Sequence, residues 1–182
     1  MKRTIVIALA VFLAACASSP YQYYVKPTPI KKQQTVYKVD EINVNLTLGH
    51  GAIPGDNSFA GKSELQKQFK KYLESSLLEK GLLAQNEQDA LDVSVTVDYK
   101  RNFNHGGKAL NKPEVSHSVT IHNEKEKLAG FSKAGYTTKY AYFDEIAVNL
   151  EISTFNWDQE DEPRDIELIS KQIVDDIVNA GS

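Results

Sequence analysis

The sequence predicts an α+β fold, in which a single, mostly antiparallel sheet of about five strands carries two helices packed on one face. Several segments alternate between apolar and polar residues, as half-buried strands do. Two other segments carry an apolar stripe with the period of a helix. Most of the predicted strands follow one another without a helix between them, which favours antiparallel pairing on one side of two packed helices.

The first strand and the first helix are predicted in the segment 42–80. Apolar residues recur at every second position over 42–48, and the glycine-rich stretch 49–57 reads as a loop. Ser63 and Gln66 have the spacing of a capping box. The helix is therefore predicted over 64–80, with a stop at Gly81. Its apolar face consists of Leu65, Phe69, Tyr72, Leu73 and Leu77.

Three more strands are predicted over 91–99, 115–121 and 127–138. The segment 147–154 has the alternation of a fifth strand, although 144–150 is also compatible with a helix. Pro163 opens the last helix, since proline is tolerated in the first turn. This helix has an apolar stripe formed by Ile166, Ile169, Ile173 and Ile177.

The start of the chain has the parts of a secretory signal peptide. Lys2 and Arg3 precede an apolar run of eleven residues over 5–15, whereas crossing a bilayer takes about 20 residues. The only cysteine of the chain closes the motif Leu13-Ala14-Ala15-Cys16. The alternatives are a membrane-spanning helix and a soluble signal peptide followed by a chance cysteine.

This motif resembles the lipobox of bacterial lipoproteins. The resemblance implies that residues 1–15 are a signal peptide, that cleavage falls between Ala15 and Cys16, and that the Cys16 thiol carries diacylglycerol with palmitate-type chains. Two or three such chains suffice for stable membrane anchoring. Because Ala17 rather than aspartate follows the cysteine, the Gram-negative form of the pattern implies the outer membrane, with the protein facing the periplasm. A Gram-positive source would place it on the outer face of the cytoplasmic membrane.

The rest of the chain divides into a tether and one domain. Residues 16–34 contain three prolines and show no sustained period, so they are predicted to be the lipidated N-terminus and a flexible tether that reaches about 25 Å. Residues 35–182 form a single α+β periplasmic domain. Removal of residues 1–15 leaves 19 basic and 24 acidic residues, a formal charge of −5. Such a charge argues against nucleic acid as a partner.

No catalytic, nucleotide or metal site is predicted. The segment 55–63 lies between a strand and a helix as a P-loop would, but Asp56 stands where the motif needs its first glycine. His117 and His122 point to opposite faces of one strand, while His50 and His105 lie in loops at one end of the sheet. The acidic run 158–162 suits the N-terminus of the last helix better than calcium.

Five aromatic residues in the last third of the chain form a candidate partner patch. They are Tyr136, Tyr140, Tyr142, Phe143 and Trp157. Most are expected to pack in the core, but any that are exposed together would mark a binding surface. Free strand edges are the other candidate docking surface.

With its lipobox, its tether and this order of elements, the chain resembles small accessory lipoproteins of the Gram-negative outer membrane, such as the YajG-like and transporter-auxiliary families. The resemblance extends to the first strand, the helix and the segment 89–95, but it assigns no functional residue. It implies a non-enzymatic binding or assembly module that contacts an envelope protein and uses no cofactor. The alternatives are a carrier or sensor of a small apolar ligand or lipid, and an envelope glycan or lipid hydrolase with two facing carboxylates.

Overall fold

A computed structural model describes residues 19–85 and 90–182. The predicted signal peptide and Cys16 lie outside the described residues. The elements in chain order are β1 (Gln22–Tyr23), β2 (Tyr37–Leu48), α1 (Lys62–Glu79), β3 (Leu91–Arg101), β4 (Glu114–His122), β5 (Lys127–Tyr136), α2 (Tyr142–Ser153) and α3 (Glu162–Val178). The α+β prediction is confirmed, with three helices instead of two. In the described part of the chain, no helix combines the length and the apolarity that crossing a membrane requires.

The five strands form one sheet in the order β1-β5-β4-β3-β2. β2 and β3 are parallel, because α1 carries the chain back between them, and the other pairs are antiparallel. In this register Val44 lies opposite Val97, and Val97 lies opposite His117. Alternate residues of the central strands therefore point into the core, as the sequence pattern predicts.

The core lies between the sheet and the helices α1 and α3. Both helices bury their apolar stripes in it, including Phe69 of α1 and Ile173 of α3, which are fully enclosed. The predicted capping box is wrong, since Gly61 caps α1 and no side chain bonds to the first amides. Gln66 instead donates from Nε2 to the carbonyl oxygen of Ile42, 2.9 Å away, because an unpaired carbonyl of an edge strand lies within its reach.

The segment predicted to be a tether makes extensive contacts with the domain. β1 pairs with β5, and the side chain of Ile30 is fully buried. The Tyr21 hydroxyl donates to the carbonyl oxygen of Asp176 at 2.8 Å. Gly181 lies so close to Ile30 that a side-chain carbon there would come within 2.4 Å of its carbonyl oxygen. Residues 21–33 thus pack against α3 and the end of the chain, unlike a flexible tether.

The fifth strand predicted over 147–154 is wrong, and the helical alternative is correct. This segment belongs to α2, which is followed by a residue with positive φ, Phe155. The fifth strand of the sheet is instead β1, which pairs with the edge of β5 at Ala129 and Gly130. As a helix, the segment places Val148 and Ile152 together in a second apolar cluster, beside Phe103.

Candidate functional site

The structure separates the five aromatic residues of the predicted patch. Trp157 is fully buried, and Tyr136 and Tyr140 are half-buried. Only Tyr142 and Phe143 face solvent, with 77% and 82% of their surfaces exposed. The five residues therefore form no common patch, although two of them begin a larger exposed surface.

That surface is the outer side of α2. Phe143 is followed at helical spacing by Ile146 and Leu150, which are 54% and 62% exposed. We call the residues Tyr142, Phe143, Ile146, Ala147 and Leu150 the α2 face. Nine large apolar side chains are exposed in the described residues, and five of these lie between positions 142 and 155. Such clustering marks interaction sites, whereas single exposed apolar residues are ordinary.

The underside of α2 rests on the second apolar cluster at the end of the sheet. Val148 is the one buried residue of the helix, and it packs with Phe103, Leu110 and Trp157. Polar contacts hold both ends of the helix. Glu145 accepts hydrogen bonds from Lys112 and from the amide of Tyr140. At the other end, Asn104 Nδ2 donates to the carbonyl oxygen of Ile152 at 2.7 Å.

A buried ion pair lies beneath this corner of the molecule. Arg101 donates from Nε to Glu162 Oε1 at 2.6 Å and from Nη2 to Oε2 at 2.8 Å. Both side chains are at least 96% buried. Arg101 also donates to the carbonyl oxygen of Ala60, and the Tyr99 hydroxyl donates to Glu162. Burial raises the pKa of Glu162, although the guanidinium opposes this shift. The pair joins β3 to the start of α3.

Asp165 holds the two aromatic side chains beside α2. It accepts a hydrogen bond from the Tyr140 hydroxyl at 2.7 Å and one from Trp157 Nε1 at 3.3 Å. Burial raises the pKa of Asp165, and it raises that of Tyr140 as well. Glu162 and Asp165 are thus enclosed carboxylates with structural partners. They do not face each other across an open cleft, as the hydrolase alternative requires.

The histidines occupy separate places. His117 points into the core, where Nδ1 lies 2.7 Å from the Tyr136 hydroxyl and Nε2 lies 3.7 Å from Asp176. Burial, assisted by the nearby Lys133, lowers the pKa of His117 to about 4. His122 lies on the open side of the sheet, 3.0 Å from Ser94 Oγ. Within residues 19–85 and 90–182, no three His, Cys, Asp or Glu side chains are grouped to hold a metal ion.

The surface clefts bear on the ligand-carrier alternative. A cleft of about 390 Å³ lies on the outside of α1 and is lined by Lys67, Lys70, Lys71 and Glu74, among others. It is not a cavity between the sheet and the helices, where an apolar ligand would be enclosed.

Sequence reasoning missed Ile146, Leu150 and the Arg101–Glu162 pair. The alternative helix over 144–150 already contained the spacing of the exposed stripe. Arg101 has the same parity as Tyr99 on its strand, and an arginine that points inward requires an acidic partner. That parity was the available signal for the ion pair, although it did not identify Glu162.

The solved structures to which the chain has limited similarity include the following two. The crystal structure of a minor lipoprotein from Acinetobacter baumannii is 16% identical, with coverage of 75% of this chain and 91% of that chain and a TM-score of 0.33. A structure of an uncharacterized protein is 14% identical, with coverage of 82% of this chain and 95% of that chain and a TM-score of 0.34. No protein-family model and no curated protein matches the chain. We carry over no residue or role from either structure.

Proposed function

We propose that this protein is a non-enzymatic accessory lipoprotein of the cell envelope. In this proposal, lipid on Cys16 holds it in the outer membrane, facing the periplasm, and the α2 face binds an envelope protein. The observation that carries the docking role is the exposed stripe of Phe143, Ile146 and Leu150 on a helix whose underside is fixed. The small accessory lipoproteins, such as the YajG-like and transporter-auxiliary types, are the class that this role suggests.

The energetics of the stripe favour a binding role. Burying one large apolar side chain contributes about 1.5–3 kcal/mol. Because Phe143, Ile146 and Leu150 are 82%, 54% and 62% exposed, burial of the surface that still faces water contributes about 3–6 kcal/mol in total. This is enough to offset part of the cost of association. Apolar anchors spaced as at positions 143, 146 and 150 are typical of helices that lie in the groove of a partner.

The strand edges are less suitable as docking surfaces. The carbonyl oxygen of Ile42 on β2, which is an edge strand, already accepts a hydrogen bond from Gln66. At the start of the same strand, the Tyr37 amide donates to Leu82 and the Tyr37 carbonyl accepts from Ala84. Part of the opposite edge is covered by β1. These contacts protect edges that would otherwise pair with another chain.

Replacement of Cys16 tests the anchor. We expect Cys16→Ala to move the protein from the membrane fraction to the soluble fraction, and to abolish labelling by a palmitate analogue. The unchanged chain, expressed at the same level, is the control. If the variant stays in the membrane fraction, lipid on Cys16 is not the anchor.

Replacement of the stripe tests the docking surface. We expect Phe143→Ser combined with Leu150→Ser to reduce chemical crosslinking to an envelope protein in intact cells at least tenfold, because interface energy is concentrated in a few buried apolar residues. Leu78→Ser is the matched control, since Leu78 is 58% exposed on α1. Equal loss in both variants, or no loss in either, contradicts the assignment of the α2 face.

A further inference from the structure

We infer that the partner of the α2 face is a protein in, or directly against, the same membrane, and that its apolar groove has a basic rim. This inference rests on the proposed function, because it takes Cys16 as the lipid-bearing residue. Three observations support it: the short length of chain between Cys16 and the domain, the direction of the chain before β1, and the charge around α2.

The chain between Cys16 and the domain limits how far the domain can stand from the bilayer. Ile30 is fully buried, and the Gln33 amide donates to the carbonyl oxygen of Val178 at 2.8 Å. Residues 21–33 are therefore part of the domain, and only five peptide steps separate Cys16 from Tyr21. Fully extended, these steps span about 18 Å, whereas an extended 18-residue tether would span about 60 Å. The domain thus stays close to the lipid.

The direction of β1 indicates on which side of the domain the chain comes from Cys16. β1 runs antiparallel to β5, with Gln22 opposite Gly130, so the chain before β1 runs toward the Tyr136 end of β5. Pro20 accordingly lies beside Ser132. β5 leads directly into the connection to α2, and the cluster under α2 lies at this end of the sheet. Ser19 and Pro20, the described residues nearest to Cys16, therefore lie on the side of β1 toward the end of the sheet that carries the α2 face. The bilayer and a protein held in it or against it are the occupants that lie nearest to the proposed anchor.

The charge around α2 discriminates between these occupants. Residues 141–163 contain seven acidic residues and no lysine or arginine. Two of the seven, Glu145 and Glu162, pair with Lys112 and Arg101. Of the remaining five, Glu151 and Asp161 share one cation, Arg164, at 3.7 and 3.3 Å. In these ion pairs the seven carboxylates of the segment therefore have three cations, Lys112, Arg101 and Arg164, so the surroundings of α2 keep an excess of negative charge.

An acidic border disfavours the bilayer. Helices that lie in a membrane interface carry lysine and arginine on their polar side, and anionic lipid headgroups repel carboxylates. It also disfavours a second copy of this chain, because a two-fold contact would bring the same acidic border against itself. A groove with lysine or arginine at its rim is complementary to both the stripe and its border.

A photo-crosslinker at position 146 of the lipidated, full chain in intact cells tests the inference. We expect an adduct with a membrane protein, and we expect the crosslinked peptide, identified by mass spectrometry, to contain apolar residues flanked by lysine or arginine. The same group at position 78 is the control and should give no such adduct. An adduct with lipid only, with a second copy, or with a peptide that lacks basic residues overturns the inference, as does the absence of any adduct.

Charge variants sharpen this test. Asp144→Lys with Glu151→Lys should lower the yield of the adduct at least tenfold, whereas Asp144→Glu with Glu151→Asp, which keeps both charges, should leave it within twofold. An unchanged yield in the lysine variant overturns the basic rim. Circular dichroism of both variants shows whether the fold is retained.

Release from the membrane separates this inference from the proposed function. An exported chain with Cys16→Ala should give roughly 100-fold less adduct, since anchoring in the same membrane raises the effective concentration of the partner. If the variant remains in the membrane fraction, the proposed anchor fails. If the variant is released and the adduct yield is unchanged, the lipid anchor at Cys16 is supported, but the inference that the partner lies in the same membrane is overturned.

A vesicle measurement tests the bilayer as the occupant. Ile146→Cys, labelled with a polarity-sensitive dye, has a unique reactive thiol when lipid occupies Cys16. In vesicles of phosphatidylcholine, and in vesicles with added phosphatidylglycerol, we expect the emission of a water-exposed dye. A shift to the emission of an apolar environment in either vesicle means that the helix enters the bilayer, and overturns the inference.

Discussion

The helices α2 and α3 are neighbours in the chain, and each has an apolar stripe, but the stripes have opposite fates. α3 buries Ile166, Ile169, Ile173 and Ile177 against the sheet. α2 buries Val148 alone and leaves Ile146 and Leu150 in solvent. An apolar stripe in a sequence therefore identifies the side of a helix that will make contacts, but not whether those contacts lie within the same chain. The stripe of α3 stabilises this fold, and we propose that the stripe of α2 binds a partner.

The largest effect on stability is expected at the ion pair on which the α2 corner rests. Arg101→Ala should reduce the free energy of unfolding by about 3–5 kcal/mol, because it leaves Glu162 buried without its cation. Urea unfolding measures this change. The double variant Arg101→Met, Glu162→Leu should cost much less, since no unpaired charge remains. A single variant as stable as the original chain would contradict a structural role for the pair.

Substitutions in the buried stripe of α3 should reduce the free energy of unfolding by nearly as much. Ile173→Ala removes a fully buried side chain, so we expect a loss of about 2–5 kcal/mol in the free energy of unfolding. Thermal or urea unfolding provides the comparison with the equivalent changes in α2. A loss below about 0.5 kcal/mol would mean that the two stripes do not differ in the way described.

Protonation of His117 is expected to weaken the core at acid pH. Its pKa in the folded protein is about 4, below its ordinary value, so the unfolded chain binds more protons between pH 6.5 and pH 4. Stability is therefore complete above about pH 6.5 and falls as the pH drops toward 4, by at most about 3 kcal/mol. Asp176, which faces the ring from α3, would reduce this loss.

Comparison with His117→Gln isolates the contribution of this residue. Glutamine keeps a hydrogen-bonding group for Tyr136 but does not titrate. We expect the difference in unfolding free energy between the original chain and the variant to shrink as the pH falls from 7 to 4. A difference that is constant across this range would show that His117 has an ordinary pKa in the fold.

The smallest effect on stability is expected on the α2 face. Ile146→Ala and Leu150→Ala should each change the free energy of unfolding by no more than about 0.5 kcal/mol, since both side chains already face water. Val148→Ala, on the same helix, should cost about 2 kcal/mol because it removes buried carbon atoms. Urea unfolding of the three variants checks the difference. Equal losses at positions 146 and 148 would mean that both sides of the helix are packed.

The predictable parts of the fold were those in which local pattern and burial agree. Alternation in β3 and the stripes of α1 and α3 predicted these elements to within a few residues, because each has one polar and one apolar side. The segment 147–154 satisfied both periods, and nothing local decides between them. The choice between strand and helix is decided by contacts with residues distant in sequence, such as those of Val148 with Phe103.

The candidate site was only partly predictable for the same reason. The exposure of Phe143 and the burial of Trp157 depend on which side of α2 meets the second cluster, which the aromatic content of the segment does not show. The contacts of residues 21–33 were equally hidden, because β1 has only two residues and Ile30 stands alone between Pro29 and Lys31. Short segments of this kind pack through tertiary contacts and carry no period of their own.

Oxidative footprinting of Tyr142 and Phe143 tests whether a partner covers the α2 face in the cell. The labelling of both side chains would be measured in the purified protein and in intact cells. Tyr24, which directly follows β1 and is 46% exposed, is the internal reference. We expect strong labelling of Tyr142 and Phe143 in the purified protein and protection of both in cells, whereas the labelling of Tyr24 should be the same in the two settings. Equal labelling of Tyr142 and Phe143 in the two settings would show that the α2 face is not covered, and would contradict its role as a docking surface.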